Sequence, residues 1–249
     1  MDHPKKEWFD DWFESPWYHK LYSHRTDEEA SKAIDLFRSK TKLADGSRVL
    51  DLCCGTGRHA KSLAECGFDV TGIDNSHYFI NKATLENTMD TLEFFHCDMR
   101  DEYPGKPYDA VVNFFTSFGY FEEDSDNLLV LQQVYNSLSP TGWFLLDYLN
   151  ESKVRSQLVS KSVKNLYDAI ITEERRIDGK FVIKNITIEQ DNQETMHFQE
   201  RVKLYDKFDF DRLFTQANLR IIDYVGSYIG EKFDIQSSSR LIIIAQRLV

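Results

Sequence analysis

The chain reads as an α/β protein built on a doubly wound, seven-stranded, mostly parallel sheet, with an antiparallel β insertion after the fifth strand. Three observations predict this. Short apolar strands alternate with amphipathic helical stretches from Ser47 to Asn150, the pattern of a parallel sheet with crossover helices. The segment VLDLCCGTGRHA (49–60) runs from a strand through a glycine turn into a helix. Beyond Asn150 the apolar period falls to two, the period of strands exposed on one face.

Each element follows in order. Residues 1–24 carry Trp8, Phe9, Trp12, Phe13, Trp17, Tyr18 and Tyr22 among acids and histidines. A helix is predicted from Thr26 or Asp27, where TDEEASKAIDLF offers an N-cap. RVLDL is a buried strand; RHAKSLAECG is a helix with Ala60, Leu63 and Ala64 on one face and Gly67 at its stop. FDVTGID is the second strand, and SHYFINKATLEN a second helix with Ser76 as N-cap. LEFFHCD and YDAVVNFF are strands three and four. SDNLLVLQQVYNSL is a helix expected to bury Leu128, Leu131, Tyr135 and Leu138, and SPTGWFLLDY is a turn and the fifth strand. NLYDAIITEERRI and KFVIKNITIEQ flank a hairpin signal at Asp178-Gly179. TMHFQERVKLY alternates, with Met196, Phe198, Val202 and Leu204 on one face. FDFDRLFTQANL is a helix through Phe210, Leu213, Phe214 and Ala217, and two strands close the sheet as an antiparallel pair. The expected organisation is one domain: a helical cap (1–46), a cofactor-binding core (47–150), the antiparallel insertion (151–206) and a closing helix with strands (207–249).

Composition narrows the function. A formal charge of −11 argues against a protein that neutralises nucleic-acid phosphates. Cys53, Cys54, Cys66 and Cys97 fit no disulfide framework and no metal-binding spacing, and read as reduced, buried thiols. No stretch reaches the ~18 apolar residues of a membrane span, and the start of the chain has no secretory h-region. A cytoplasmic protein with no metal is the expectation.

Gly55-Thr56-Gly57-Arg58-His59-Ala60 fits the dinucleotide turn GxGxxG/A, with Asp74 ending the next strand. That motif alone suggests NAD binding, and so an NAD-dependent oxidoreductase as an alternative, but a lone glycine fingerprint is weak evidence. Asp51 points elsewhere: a carboxylate four residues before the turn repels a pyrophosphate and attracts an ammonium. An acid followed by an apolar residue ends strand three in HCDMR, suited to an adenine amino group and ring.

Residues 48–148 resemble the core of class I S-adenosylmethionine-dependent methyltransferases, a Rossmann-like fold. VLDLCCGTG, TGIDNS, HCDMRD and DAVVNFFTSFGYF match that family's motifs in order. FTSFGYF, and more weakly SSSRLIIIAQR, resemble a small-molecule branch that includes amino-sugar N-methyltransferases. The resemblance implies S-adenosyl-L-methionine as cofactor. It implies that Gly55 and Gly57 admit the methionine end and Asp51 holds its ammonium. Asp74 then takes the ribose, Asp98 and Met99 the adenine, and Asn113 and Phe114 flank the methyl. Arg25 is a candidate for the cofactor carboxylate, with Tyr22 nearby. The motif Asn/Asp-Pro-Pro-Tyr/Phe of base and glutamine methylation is replaced by Asn113-Phe114-Phe115-Thr116. A small-molecule amine or hydroxyl is therefore the expected acceptor. A hydroxyl needs a base, for which Asp147, His19, His24 and Tyr120 are the candidates. Trp17, Tyr18 and Tyr22 form a lid over the site, pack on the outer helices, or make a homodimer contact. A non-catalytic S-adenosylmethionine-binding protein is the remaining alternative.

Overall fold

The computed structural model describes residues 7–22 and 26–248. Two short helices, α1 (Trp8–Glu14) and α2 (Pro16–Leu21), meet at Ser15, whose hydroxyl accepts the Trp17 N–H and caps the second. Helix α3 (Asp27–Thr41) starts at Thr26, whose hydroxyl accepts the Glu29 N–H. Three acids fill its first turn, against the positive end of the helix dipole. The predicted alternation follows: β1 (Arg48–Leu52), α4 (Arg58–Glu65), β2 (Asp69–Asp74), α5 (His77–Glu86), β3 (Leu92–His96), β4 (Tyr108–Asn113), α6 (Asp124–Ser137) and β5 (Leu138–Leu149). Ser76 caps α5 by accepting the Phe79 N–H at 3.1 Å. After α7 (Glu151–Ser156) come the insertion strands β6 (Lys161–Leu166), β7 (Ala169–Asp178), β8 (Phe181–Gln190) and β9 (Met196–Lys203). Helix α8 (Lys207–Gln216) and strands β10 (Leu219–Val225) and β11 (Arg240–Arg247) end the chain.

The main sheet has the order β10-β11-β5-β4-β1-β2-β3. β3, β2, β1, β4 and β5 are parallel, and β11 runs antiparallel to both β5 and β10. The insertion forms its own antiparallel sheet, β6-β7-β8-β9. Side-chain alternation sorts the main core into two layers. Leu50, Leu52, Val111 and Ile243 pack under α6 and α8, whereas Val49, Ala110, Val112 and Ile244 pack under α3 and α4. A third cluster joins Trp12, Trp17 and Leu21 of the first two helices to Ile171, Ile186 and Ile188 of the insertion sheet.

Four local features differ from the sequence reading. The buried stripe of α6 is Asn127, Val130, Leu131 and Val134, with Leu128 and Tyr135 only partly covered. Asn127 belongs inside because its amide donates to the Phe121 carbonyl at 3.0 Å. The stretch 165–177 is two strands, broken at Tyr167-Asp168 with Tyr167 at φ 54°. An aromatic residue in a left-handed turn leaves no glycine or asparagine signal. The next hairpin turns on Gly179-Lys180, one residue beyond the predicted pair. Helix α7 buries no residue, so it leaves no periodic trace.

The Phe94 ring fills the space left by two glycines. A Cβ on Gly57, itself at φ 83°, would meet Phe94 at 2.5 Å, and one on Gly72 would meet it at 2.6 Å. This seats the N-terminus of α4 close against β2. Gly72→Ala should therefore cost about 1–3 kcal/mol in urea unfolding. Adding Phe94→Leu should recover part of that loss; a double variant no more stable than Gly72→Ala would show that the ring is not the obstacle.

Candidate active site

Parallel strands bring their C-terminal ends to one edge of the sheet, where open α/β folds bind ligands. Here the ends of β1, β2, β3 and β4 border a cavity of about 270 Å³. Its floor is the turn after β1. Cys53, Gly55 and Gly57 alternate in the left-handed region at φ 62°, 56° and 83°. The Cys54 N–H donates to the Ile73 carbonyl and pins the turn to β2. A Cβ on Gly55 would meet nothing within 4 Å, so its Cα faces open space; glycine is required by the backbone angle.

Asp51 lies at the base of this turn, 1% exposed, with Oδ2 lacking any hydrogen-bond partner among the described residues. Burial drives its pKa up to about 8; the Asp74 charge adds to the rise, while the Ala60 N–H and the Arg58 charge oppose it. A buried carboxylate oxygen lining a cavity without a donor is an incomplete site. An ammonium would complete it. Asp74 is oriented by two backbone donors, Gly55 N–H to Oδ2 and Ser76 N–H to Oδ1, both at 2.9 Å. Burial nevertheless outweighs them and raises its pKa. Asp98 receives the Arg100 backbone N–H at 2.8 Å and its guanidinium at 3.0 and 2.7 Å. Arg100 in turn lies 4.2 Å from the Phe121 ring centre. Met99 lines the cavity beside it, its carbonyl taken by the Tyr103 hydroxyl.

The other expected residues divide. Phe114 lines the cavity and stacks on His59 at 4.6 Å. Asn113 is buried and outside the lining; its amide donates to the carbonyls of Leu52 and Ser117, tying β1 to the loop after β4. Arg25 and His24 lie outside the described residues. Tyr22 lines the cavity, but its hydroxyl donates to Glu200 at 2.6 Å and accepts from Lys184. Tyr120 lines it too, its phenol pushed far from ionisation by burial.

Two candidate bases are poorly set for that work. His19 lines the cavity, but Lys82 Nζ lies 3.0 Å from Nε2. An ammonium donating there occupies the lone pair a base would use, and burial, then the Lys82 charge, lowers the His19 pKa. Asp147 is fully buried and does not line the cavity. It accepts the Phe115 N–H at 2.8 Å, the Tyr228 hydroxyl and the Arg240 guanidinium. These contacts hold the loop in which Phe115 and Thr116 are both left-handed, at φ 59° and 64°. That conformation is strained for side-chain-bearing residues and persists only where the surroundings impose it.

The roof comes from the aromatic chain start, where a lid is one expectation. Phe9, Phe13, Tyr18 and His19 reach the cavity from α1 and α2. Trp17, expected beside them, packs into the cluster on the insertion sheet instead. The roof is fastened to the core by the Ser76 hydroxyl on the Phe13 carbonyl, the Tyr78 N–H on Glu14, and the Trp8 indole on the Tyr120 carbonyl. His59 and Arg58 also line the cavity; both sit inside the glycine motif, which was the available signal.

A parallel sheet that gathers a glycine turn and strand-end carboxylates around one cavity defines a Rossmann-like cofactor-binding protein. Within that class, the chain belongs to the methyltransferase domain family, whose model matches residues 22–224. The dTDP-3-amino-3,4,6-trideoxy-alpha-D-glucopyranose N,N-dimethyltransferase of Streptomyces venezuelae is 25% identical over 201 residues, 78% of this chain and 83% of that one. YqeM of Bacillus subtilis (strain 168) is 33% identical over 140 residues, 55% of this chain; the match spans about half of that relative's length, 54%. An S-adenosylmethionine-dependent methyltransferase from Clostridium acetobutylicum ATCC 824 superposes with a TM-score of 0.79 at 18% identity, covering 93% of this chain and 96% of that one. At that identity the likeness concerns the fold. The NAD-dependent reading finds no support in these matches. Among the described residues, no helix is long and apolar enough to cross a membrane.

Asp51 makes a pH prediction. Its folded pKa of about 8 exceeds the ordinary carboxylate value of ~3.9. The folded state thus holds a proton that the unfolded state releases, and stability falls as pH rises from about 4 to 8, by up to roughly 1.4 kcal/mol per unit. Asp51→Asn should flatten that slope in the ligand-free protein and make it more stable than wild type at pH 8. Parallel urea-unfolding curves for the two proteins across this window would contradict it.

Proposed function

We propose that the protein transfers the methyl group of S-adenosylmethionine to a small-molecule amine. The observation that carries the reading is the orphaned Asp51 carboxylate beneath the glycine turn. A ligand bearing an ammonium fits there, and a pyrophosphate does not. When bound, S-adenosylmethionine supplies an electrophilic methyl on a sulfonium, which a nucleophile displaces in line.

The chain's own residues bind and orient. Asp51 holds the ammonium, and Gly55 and Gly57 let the backbone close on the methionine end. Asp74, fixed by two N–H donors, meets the ribose hydroxyls. Asp98, braced by Arg100, and Met99 face the adenine. Phe114 borders the methyl, while Asn113 acts by holding β1 to the following loop. The aromatic roof covers the cavity, and alignment of nucleophile, methyl and sulfur beneath it can contribute up to roughly 7–11 kcal/mol.

An amine is favoured over a hydroxyl because a neutral amine needs no base. Its lone pair forms the new C–N bond as the C–S bond breaks, and the proton leaves afterwards to solvent. His19 and Asp147 are both engaged, as described above. The name of the Streptomyces venezuelae relative agrees with nitrogen as the acceptor. The roof, packed within the chain on the cavity and the insertion, favours a lid over a dimer contact. A net charge of −11 and the aromatic roof over the cavity speak against nucleic acid as substrate.

Titration calorimetry should show binding of S-adenosylhomocysteine and none of NAD; the reverse result refutes the assignment. Asp74→Ala should weaken S-adenosylhomocysteine by roughly ten- to a hundredfold, the value of a charged hydrogen bond of about 1.5–3 kcal/mol. Asp98→Ala should cost less, because Met99 still borders the adenine. A panel of primary and secondary amines, assayed for S-adenosylhomocysteine release against matched alcohols, separates the two acceptor classes. Turnover with alcohols alone would exclude the amine, and binding without release from any acceptor would favour a non-catalytic protein.

A further inference from the structure

Glu200 lies on β9 between Phe198 and Val202, on the face those apolar residues share. Its side chain is 17% exposed, an unusual place for a carboxylate unless it is paired. One oxygen, Oε1, accepts both the Trp12 indole N–H at 2.8 Å and the Tyr22 hydroxyl at 2.6 Å. The other lies 2.5 Å from Lys184 Nζ, and Lys184 also donates to the Tyr22 hydroxyl. Behind them Glu173 sits 3.8 Å from Lys184 and 2.6 Å from Arg175. A row of alternating charges thus crosses the insertion, and its Glu200 end meets the cavity roof. Trp12 belongs to α1 and is fully buried; Tyr22 follows α2 and lines the cavity.

We propose that Glu200 is a positioning residue for the cavity: it seats Trp12 and Tyr22 on the insertion sheet, and so sets how often the α1–α2 roof opens to let cofactor in and out. This rests on the reading of the cavity as an S-adenosylmethionine site. Its physical basis is the cost of leaving polar groups buried without partners. Without the carboxylate, the Trp12 indole N–H and the Lys184 ammonium both lose an acceptor in a largely buried place. The local remedy is for the roof to lift toward water. A lid that lifts more often admits and releases ligand faster, while the contacts made by the floor are unchanged.

The test is stopped-flow tryptophan fluorescence of the full chain with S-adenosylhomocysteine, combined with hydrogen exchange. In Glu200→Ala, association and dissociation should both accelerate on the order of tenfold, the factor that loss of one charged hydrogen bond gives an opening equilibrium. The equilibrium affinity should change much less than either rate. Residues 8–22 should exchange faster, with residues 48–113 unchanged. Glu200→Gln keeps an oxygen for Trp12 and Tyr22 but loses the charge toward Lys184; it should fall between, and it carries the test if the alanine variant folds poorly. Faster dissociation with unchanged association would mean a lost contact, not a gate. Faster exchange throughout the core would mean general destabilisation. Either outcome, or unchanged rates, overturns the proposal. If the wild-type chain binds no S-adenosylhomocysteine, the methyltransferase reading fails by itself, and exchange in residues 8–22 still reports whether Glu200 holds the roof.

Discussion

The two carboxyl groups at the ends of β1 and β2, which burial makes costly to ionise, are the constraint around which the site is built. Asp51 is buried with one oxygen unsatisfied, and Asp74 stands near enough to raise its pKa further. Ionising such a pair is unfavourable in the ligand-free fold, because desolvation penalises each charge and their repulsion penalises both. The pair is tolerated because the surrounding sheet is rigid: β1 is hydrogen-bonded on both sides, and its side chains are buried in two separate core layers. Strain concentrates in the same place, with Cys53 held left-handed in the turn itself. A ligand that brings positive charge relieves what the fold imposes. S-adenosylmethionine carries two such charges, an ammonium and a sulfonium, so the electrostatics and the family assignment agree.

The other buried acids show that the protein can neutralise a carboxylate where it needs to. Asp98 has Arg100, Asp147 has Arg240, and Glu173 and Glu200 share Lys184. Burial works against Glu173, yet Lys184, Arg175 and Lys164 hold its pKa below the ordinary value. Among the described residues no ion pair reaches Asp51 or Asp74. The difference is spatial: Asp147, Glu173 and Glu200 fix loops and layers around the cavity, Asp98 lines its wall with Arg100 behind it, and the unpaired Asp51 and Asp74 line its floor. Asp147 belongs to the first group. Its contacts are spent on keeping Phe115 and Thr116 in place, which explains why an acid at the end of a strand, a plausible base by position, is unsuited to proton transfer.

The floor was legible in the sequence residue by residue, and the roof only in outline: Tyr18 and Tyr22, expected in a lid, line the cavity, whereas Trp17 packs on the insertion sheet. Strand–helix alternation and the glycine turn are local signals, and the elements from Thr26 to Leu149 appeared with little error. Asp51 and Asp74 could be singled out because each interrupts an apolar strand at a fixed offset from the turn. The pairing of Asp98 with Arg100, two residues away, was open to reading but has no motif of its own. Glu200 was visible in principle: the alternation that puts Phe198 and Val202 on one face puts Glu200 between them. Its partners could not be read, since Trp12 and Tyr22 lie more than a hundred residues away in sequence. Parity flags an anomalous residue, and only the tertiary fold says what it meets.

This division has a consequence for substrate choice. The proposed cofactor floor comes from contiguous segments, each following a strand of the parallel core. The other side of the cavity, where the proposed acceptor enters, is assembled from the chain start, the loop after β4 and, through Glu200, the insertion. No one of these determines its shape alone. Changing the insertion would move Trp12 and Tyr22 without touching the glycine turn, and could alter the acceptor while leaving cofactor binding in place. Function at such a site lies in how the segments join. That is why four ordered motifs can assign a reaction type and still leave the acceptor molecule unnamed.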